Sequence, residues 1–133
     1  GKNIEISRVE EPVGWKKFLT YRDKYAGKHA VRRRLPADIP EETEKKVREM
    51  TGKLFSAFSL AGVARVDFLL AADGELYVNE ANTVPGSLAA YLFAAAGMST
   101  SEFYRRLLAS ARAEAEERRL LVYRFSPALT AEK

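Results

Sequence analysis

Arg65, Asp67, Glu80 and Asn82 are the side chains in this sequence whose types and spacing could do chemistry together. Two carboxylates, a carboxamide and a guanidinium suit a hard divalent cation. Mg2+ takes oxygen ligands and commonly uses one or two carboxylates plus substrate phosphates. The stretch that would assemble them is Gly62–Gly86, GVARVDFLLAADGELYVNEANTVPG. Two runs of strand formers, Val63–Ala71 and Glu75–Ala81, flank the pair Asp73-Gly74. Asp-Gly between such runs is the strongest short-range hairpin signal, because both central residues of the turn need positive φ. A two-residue loop makes Ala72 face Glu75, Leu70 face Tyr77, Asp67 face Glu80 and Arg65 face Asn82.

Alternation along the strands then places Arg65, Asp67 and Leu69 on one face with Val78, Glu80 and Asn82. Val66, Phe68, Leu70 and Tyr77 fall on the other face, toward the helices, and Asn79 breaks that apolar set without evident reason. Opposed residues lie about 4.5–5.5 Å apart at Cβ, and facing like charges destabilise a sheet unless a cation sits between them. A solvated face with incidental acids would account for any one of these residues alone. All four on one face, next to Pro85-Gly86, favour the cation. The register is the sensitive step, since a bulged or longer loop shifts the partners by one and flips one strand's faces.

The surrounding elements follow from periodicity and caps. Lys2–Val9 alternates loosely and reads as a short strand, interrupted by Pro12 and Gly14. Trp15–Tyr25 mixes aromatics with cations, a half-buried strand or turn with lysines reaching water. Ala26–Pro40 reads as a loop; its Arg32-Arg33-Arg34 triplet suits a solvated face better than a phosphate site, and His29, the sole histidine, suits the surface. After Pro40, Glu41-Glu42 suit a first helical turn, and Val47, Met50, Leu54, Ala57, Phe58 and Ala61 trace one buried helix face ending at Gly62. That helix is expected to pack under the hairpin.

Pro85-Gly86 makes a stiff turn, and Ser87 reads as the N-cap of an apolar helix Leu88–Ala96 closed by Gly97. Its N-terminal N–H groups would suit a carboxylate. Ser99-Thr100-Ser101-Glu102 is a capping box that starts a helix to about Arg119, with Phe103, Leu107, Ala111 and Ala115 at intervals of four. Leu120–Lys133 holds a short apolar segment, LLVYRF, an edge strand or an interface.

Composition narrows the class. The 133 residues suffice for one domain or a piece of one, with 47% hydrophobic and 30% charged residues. There is no cysteine, so disulfides and thiolate metal sites are excluded. No apolar run is long enough for a membrane span and no signal peptide is visible, so a cytoplasmic location is expected. The net charge of +4 mixes 22 basic with 18 acidic residues, a solvated surface with some bias toward anionic ligands such as nucleotide phosphates.

The run RVDF followed by DGELYVNEANTVPG closely resembles the metal-binding end of the D-alanine–D-alanine ligases, members of the ATP-grasp superfamily. The resemblance implies joining of a carboxylate to an amine through an acyl phosphate, with ATP as co-substrate. Carried over by position, Asp67, Glu80 and Asn82 would hold two Mg2+ ions (or Mn2+) against the ATP phosphates. Arg65 would stabilise the transferring phosphoryl group and the tetrahedral intermediate, Lys24 would touch the ATP phosphates and Tyr25 would lie near substrate. In the family the region Ala26–Pro40 covers the active site when nucleotide binds. A Ser-Leu pair there binds the carboxylate of the second D-alanine, and Gly86, Ser87 and Leu88 align with that substrate-binding region; a plain helix cap is the other reading of Ser87.

This chain departs from the family by running straight from Gly86 to Ser87, where several more residues usually intervene. That leaves the metal chemistry intact and puts the acceptor amine in question. The implied fold is α+β, an ATP-grasp C-terminal subdomain over 1–125 with a small, largely antiparallel sheet covered by helices, and a loose tail over 126–133. An N-terminal domain and an adenine-clamping lobe are expected upstream in a longer ligase, and the chain alone is expected to be inactive. The implied partners are ATP and D-alanine or a similar amino acid, with no membrane and no nucleic acid expected and a homodimer left open. The rivals are an ATP-grasp ligase with another acceptor and, in a different class, a non-catalytic basic module for anions or nucleic acid built on Arg32–Arg34.

Overall fold

The computed structural model describes residues 3–13 and 32–121. Strands β1 (Glu11–Val13) and β2 (Arg32–Arg34) pair antiparallel, and helix α1 (Glu41–Ala57) follows. Strands β3 (Arg65–Leu70) and β4 (Leu76–Asn82) form a second antiparallel pair, then come a tight turn Gly86–Ala89, helix α2 (Ala90–Ala94) and helix α3 (Thr100–Arg119). The described residues are thus α+β with two separate two-stranded sheets, where one sheet was expected.

The first strand lies later than alternation placed it. Residues 3–10 are not strand, and Pro12, expected as a breaker, sits within β1 opposite Arg33. A two-stranded ribbon has only edges, where a missing N–H is tolerated. The arginine triplet, read as loop, is β2; it is exposed, and Arg33 and Arg34 pair with Glu10, Glu11 and Asp38.

Helix α1 begins after Pro40 with Glu41, Glu42 and Glu44 in its first turn, where they complement the helix dipole. It stops at Ala57, a turn before Gly62. Ser59 takes the left-handed position (φ 51°), and the Leu60 N–H closes back to the Phe55 carbonyl at 3.0 Å. That bond satisfies an orphan carbonyl without glycine. Val47 is buried, Met50 and Leu54 are half-buried, and Ala57 and Phe58 are exposed, so the apolar face is narrower than its periodicity indicated. Hydrogen bonds fasten α1 to the N-terminal segment: Arg8 holds Glu44 through Nε at 2.7 Å and Nη2 at 3.1 Å, and Arg48 donates to the Ile6 carbonyl.

Beyond the hairpin, Leu92 of α2 and Phe103 of α3 are buried, and the Phe93 and Phe103 rings meet at 5.2 Å. Ser99 caps α3 as expected, its Oγ accepting the Glu102 N–H at 3.1 Å. The Glu102 carboxylate is taken by Arg105 and Arg106, which hold it down at a pKa of about 2. Gly97 (φ 88°) closes α2, with the Met98 N–H donating to the Phe93 carbonyl. Leu120 and Leu121 are exposed; the rest of the apolar tail segment lies outside the described residues.

Candidate active site

The β3–β4 hairpin carries the candidate site, and its turn is longer than Asp73-Gly74 alone. Ala71 donates its N–H to Glu75 at 2.9 Å, so Ala72, Asp73 and Gly74 form a three-residue connection, with Gly74 at φ 88°. The Asp73 carboxylate accepts the Glu75 N–H at 3.0 Å, a local bond that favours this wider turn. The partners near the turn therefore differ from expectation: Leu70 faces Leu76 and Leu69 faces Tyr77. A register shift between Asp67 and Phe68 leaves Asn79 as an extra residue on β4. This bulge absorbs the added loop residue, and beyond it Asp67 faces Glu80 and Arg65 faces Asn82.

Two deviations thus cancel at the site. Arg65, Asp67, Glu80 and Asn82 share one face of the hairpin, but Val78 joins Phe68 on the opposite face, and Tyr77 moves to the side of Leu69. Asn79 breaks the apolar pattern because it is the bulge.

Arg65 occupies the gap between the acids. Its Nε and Nη2 reach the two Asp67 carboxylate oxygens at 2.7 and 2.9 Å, and Nη2 lies 3.7 Å from Glu80. The hydrogen bond to Asp67 outweighs partial burial and raises the guanidinium pKa further. Side-chain exposures of 31% for Arg65, 33% for Asp67 and 46% for Glu80 leave the cluster reachable from solvent. The Asn82 Oδ1 accepts the Val84 N–H at 2.9 Å, which aims the chain into Pro85, and its second lone pair stays available. Among the described residues no group of three histidine, cysteine, aspartate or glutamate side chains comes together. The oxygen set here is two carboxylates and a carboxamide, a combination suited to Mg2+ or Mn2+ completed by water and phosphate oxygens.

The chain after Pro85 departs furthest from expectation. Ser87, Leu88 and Ala89 have φ values of 50°, 52° and 53°, a left-handed turn, and the Leu88 N–H donates to the Pro85 carbonyl at 2.9 Å. Ser87 is therefore not the N-cap of a helix from Leu88; α2 starts at Ala90 without a side-chain cap. The N-terminal N–H array expected there is replaced by the turn. Ser87 is exposed, Leu88 half-buried and Ala89 buried. Lys24, Tyr25 and His29 lie outside the described residues.

Sequence reasoning missed Glu10 and Tyr91. The Tyr91 hydroxyl donates to Glu10 Oε1 at 2.7 Å and accepts from Arg33 Nη1 at 2.6 Å, while the Arg33 guanidinium lies over the Tyr91 ring, 5.9 Å from its centroid. Burial, then the bond to Glu10, raises the tyrosine pKa, so it stays a neutral donor. Tyr91 is also near enough to Arg65 to interact with it electrostatically. No local pattern marks these residues, which are separated by up to 81 positions.

Residues 1–109 match the family described as D-ala D-ala ligase C-terminus. The chain is 32% identical to the D-alanine–D-alanine ligase of Thermosipho africanus, over 92% of this chain and 34% of the relative. It is 35% identical to that of Geobacillus thermodenitrificans, over 94% of this chain and 38% of the relative. The solved structure of D-alanyl-alanine synthetase A from Vibrio cholerae matches with a TM-score of 0.65 and 26% identity, covering 80% of this chain and 34% of that one. The chain spans roughly a third of the length of these relatives. With the match running through both sheets and into α3, the chain belongs to the family of the D-alanine–D-alanine ligase C-terminal domain.

Proposed function

We propose that this chain supplies the metal- and phosphate-binding part of an ATP-dependent carboxylate–amine ligase, with D-alanine as its substrate. The product would be a D-alanyl dipeptide for peptidoglycan. The observation that carries this reading is Asp67 opposite Glu80 and Arg65 opposite Asn82 on one hairpin face. Asp67, Glu80 and Asn82 would hold the two divalent ions, Mg2+ or Mn2+. When bound, such ions neutralise phosphate charge and align the phosphates for transfer.

Arg65 binds Asp67, and its guanidinium would also serve the transferring phosphoryl group and the tetrahedral intermediate, where developing negative charge is largest. Lys24 and Tyr25 keep the roles the resemblance implies, at the ATP phosphates and near substrate. Gly86, Ser87 and Leu88 form the acceptor end, with the Ser87 hydroxyl and turn backbone offered to the acceptor carboxylate. The matched region supports 1–109 of the proposed subdomain 1–125.

The direct Gly86–Ser87 connection and its left-handed turn favour one second reading, the same chemistry with another amine acceptor. A nucleic-acid module built on the arginine triplet is less well supported, because Arg33 and Arg34 are already held by acids.

Phosphate release from ATP by the full-length protein, with D-alanine and then a panel of amino acids, tests the reading. Stimulation by D-alanine is the expected result, stimulation by a different amine moves the substrate, and silence across the panel refutes the ligase. Asp67→Asn and Glu80→Gln should each abolish binding of Mn2+-ADP while preserving the circular dichroism spectrum of the folded protein. Parent-like binding in both would place the metal elsewhere.

A further inference from the structure

The left-handed turn Ser87–Ala89 needs an anchor. Three successive L-residues near φ 50° put Cβ against the following carbonyl, and such a run persists only where the surroundings over-determine it. One anchor is apolar: Ala89 and Leu92 are buried, and Phe93 packs on Phe103. The other is polar. Tyr91, two residues past the turn, has its hydroxyl shared between Glu10 and Arg33 of the first strand pair and its adjoining residue. Arg33 Nη1 also reaches Glu10 Oε1 at 2.9 Å, so the three groups close a ring of charge-assisted bonds. The Glu10 side chain is shielded at 15% exposure, while its partner Arg33 is 51% exposed at the surface.

We infer that Glu10, Arg33 and Tyr91 are positioning residues for the acceptor end of the site: they clasp α2 to the β1–β2 ribbon and so hold the turn Ser87–Ala89, with Tyr91 itself close enough to Arg65 to interact with it electrostatically. The inference rests on the proposed acceptor role of Ser87 and Leu88. It adds that the geometry of that end is set from a different sheet, by residues that touch no substrate. The amine acceptor must approach the group activated at Arg65, so a displaced turn misplaces the amine while leaving the metal ligands of the hairpin untouched. The clasp also explains how the turn keeps its place when the longer connection usual in the family is missing.

The test is a kinetic split on the full-length protein. Tyr91→Phe and Glu10→Gln should each raise KM for the stimulating amino acid roughly tenfold, the size expected for losing a hydrogen bond to a charged group. KM for ATP should stay within about twofold, because the metal ligands are not moved. The double variant should do little more than either single one, as members of one network do. Arg33→Lys, which keeps the charge but loses the fork, should fall between parent and Arg33→Gln. Equal rises in both KM values would mean general loosening and overturn the inference, as would an unchanged acceptor KM. Amide hydrogen exchange over residues 87–91 gives a readout that needs no turnover: faster exchange in Tyr91→Phe is expected, and parent-like exchange overturns the clasp. If the parent shows no amino-acid-stimulated phosphate release, the ligase reading fails by itself, and the exchange measurement still decides whether the clasp holds the turn.

Discussion

Removing Arg65 should strengthen metal binding while destroying turnover. The guanidinium makes two hydrogen bonds to Asp67, at 2.7 and 2.9 Å, and lies 3.7 Å from Glu80. A cation that takes Asp67 as ligand must first displace Arg65. A charge-assisted pair of this kind is worth about 1.5–3 kcal/mol when shielded, and with both side chains about one-third exposed a value of about 1–2 kcal/mol is appropriate. Arg65→Met keeps most of the apolar stem and removes the competitor, so Mn2+ should bind about 5- to 30-fold more tightly. Calorimetric titration of Mn2+ in the presence of ADP reads this effect by itself, because ADP lacks the phosphoryl group that Arg65 is proposed to hold. The rate of ligation should fall by about 100- to 1000-fold, the usual cost of deleting a group that stabilises transition-state charge. The two effects have opposite signs. Weaker or unchanged Mn2+ affinity in Arg65→Met would refute the idea that arginine and metal compete for Asp67, and retained turnover would refute the role at the phosphoryl group.

Ser87→Gly should raise stability by about 0.5–1 kcal/mol, since relief of a left-handed residue slightly exceeds the added chain entropy of glycine. The same change should raise the acceptor KM; a lower melting temperature would show that the turn is not strained. Glu44→Gln tests linkage: Arg8, mainly through its hydrogen bonds, lowers the Glu44 pKa from the ordinary 4.5, so the folded value lies below the unfolded one. Its contribution is then complete above pH 4.5 and fades as pH falls through the folded value. The variant should melt a few degrees lower near neutral pH and converge with the parent in acid, and a constant gap across the pH series would contradict the pairing.

The pairing of Asp67 with Glu80 and of Arg65 with Asn82 was legible because that end of the hairpin is insensitive to two details that were not. Asp73-Gly74 marks a turn, but Asp73 accepting the Glu75 N–H selects the three-residue form, a competition between neighbouring turn types that composition does not rank. A one-residue error there should have moved Glu80 to the wrong face. The bulge at Asn79 returns it, and the polar residue in an apolar row was its only trace. Chemistry at the open end tolerates errors in a hairpin only in pairs. The first strand was misplaced because a short ribbon is chosen by tertiary pairing: Glu10, Glu11 and Asp38 recruit Arg33 and Arg34, and no periodicity announces that.

The turn after Pro85 is a different kind of failure. Ser after Pro-Gly before an apolar run is a sound N-cap signal, and local propensity alone gives a helix from Leu88. The chain adopts a left-handed turn instead, held by contacts on both sides of α2. Where local rules point one way and the fold goes another, the difference is maintained by interactions distant in sequence, and it falls where the backbone meets the proposed acceptor. The strain therefore locates the clasp: a turn that its own residues disfavour must be held by others, and Glu10 and Arg33 are the polar groups that reach it through Tyr91.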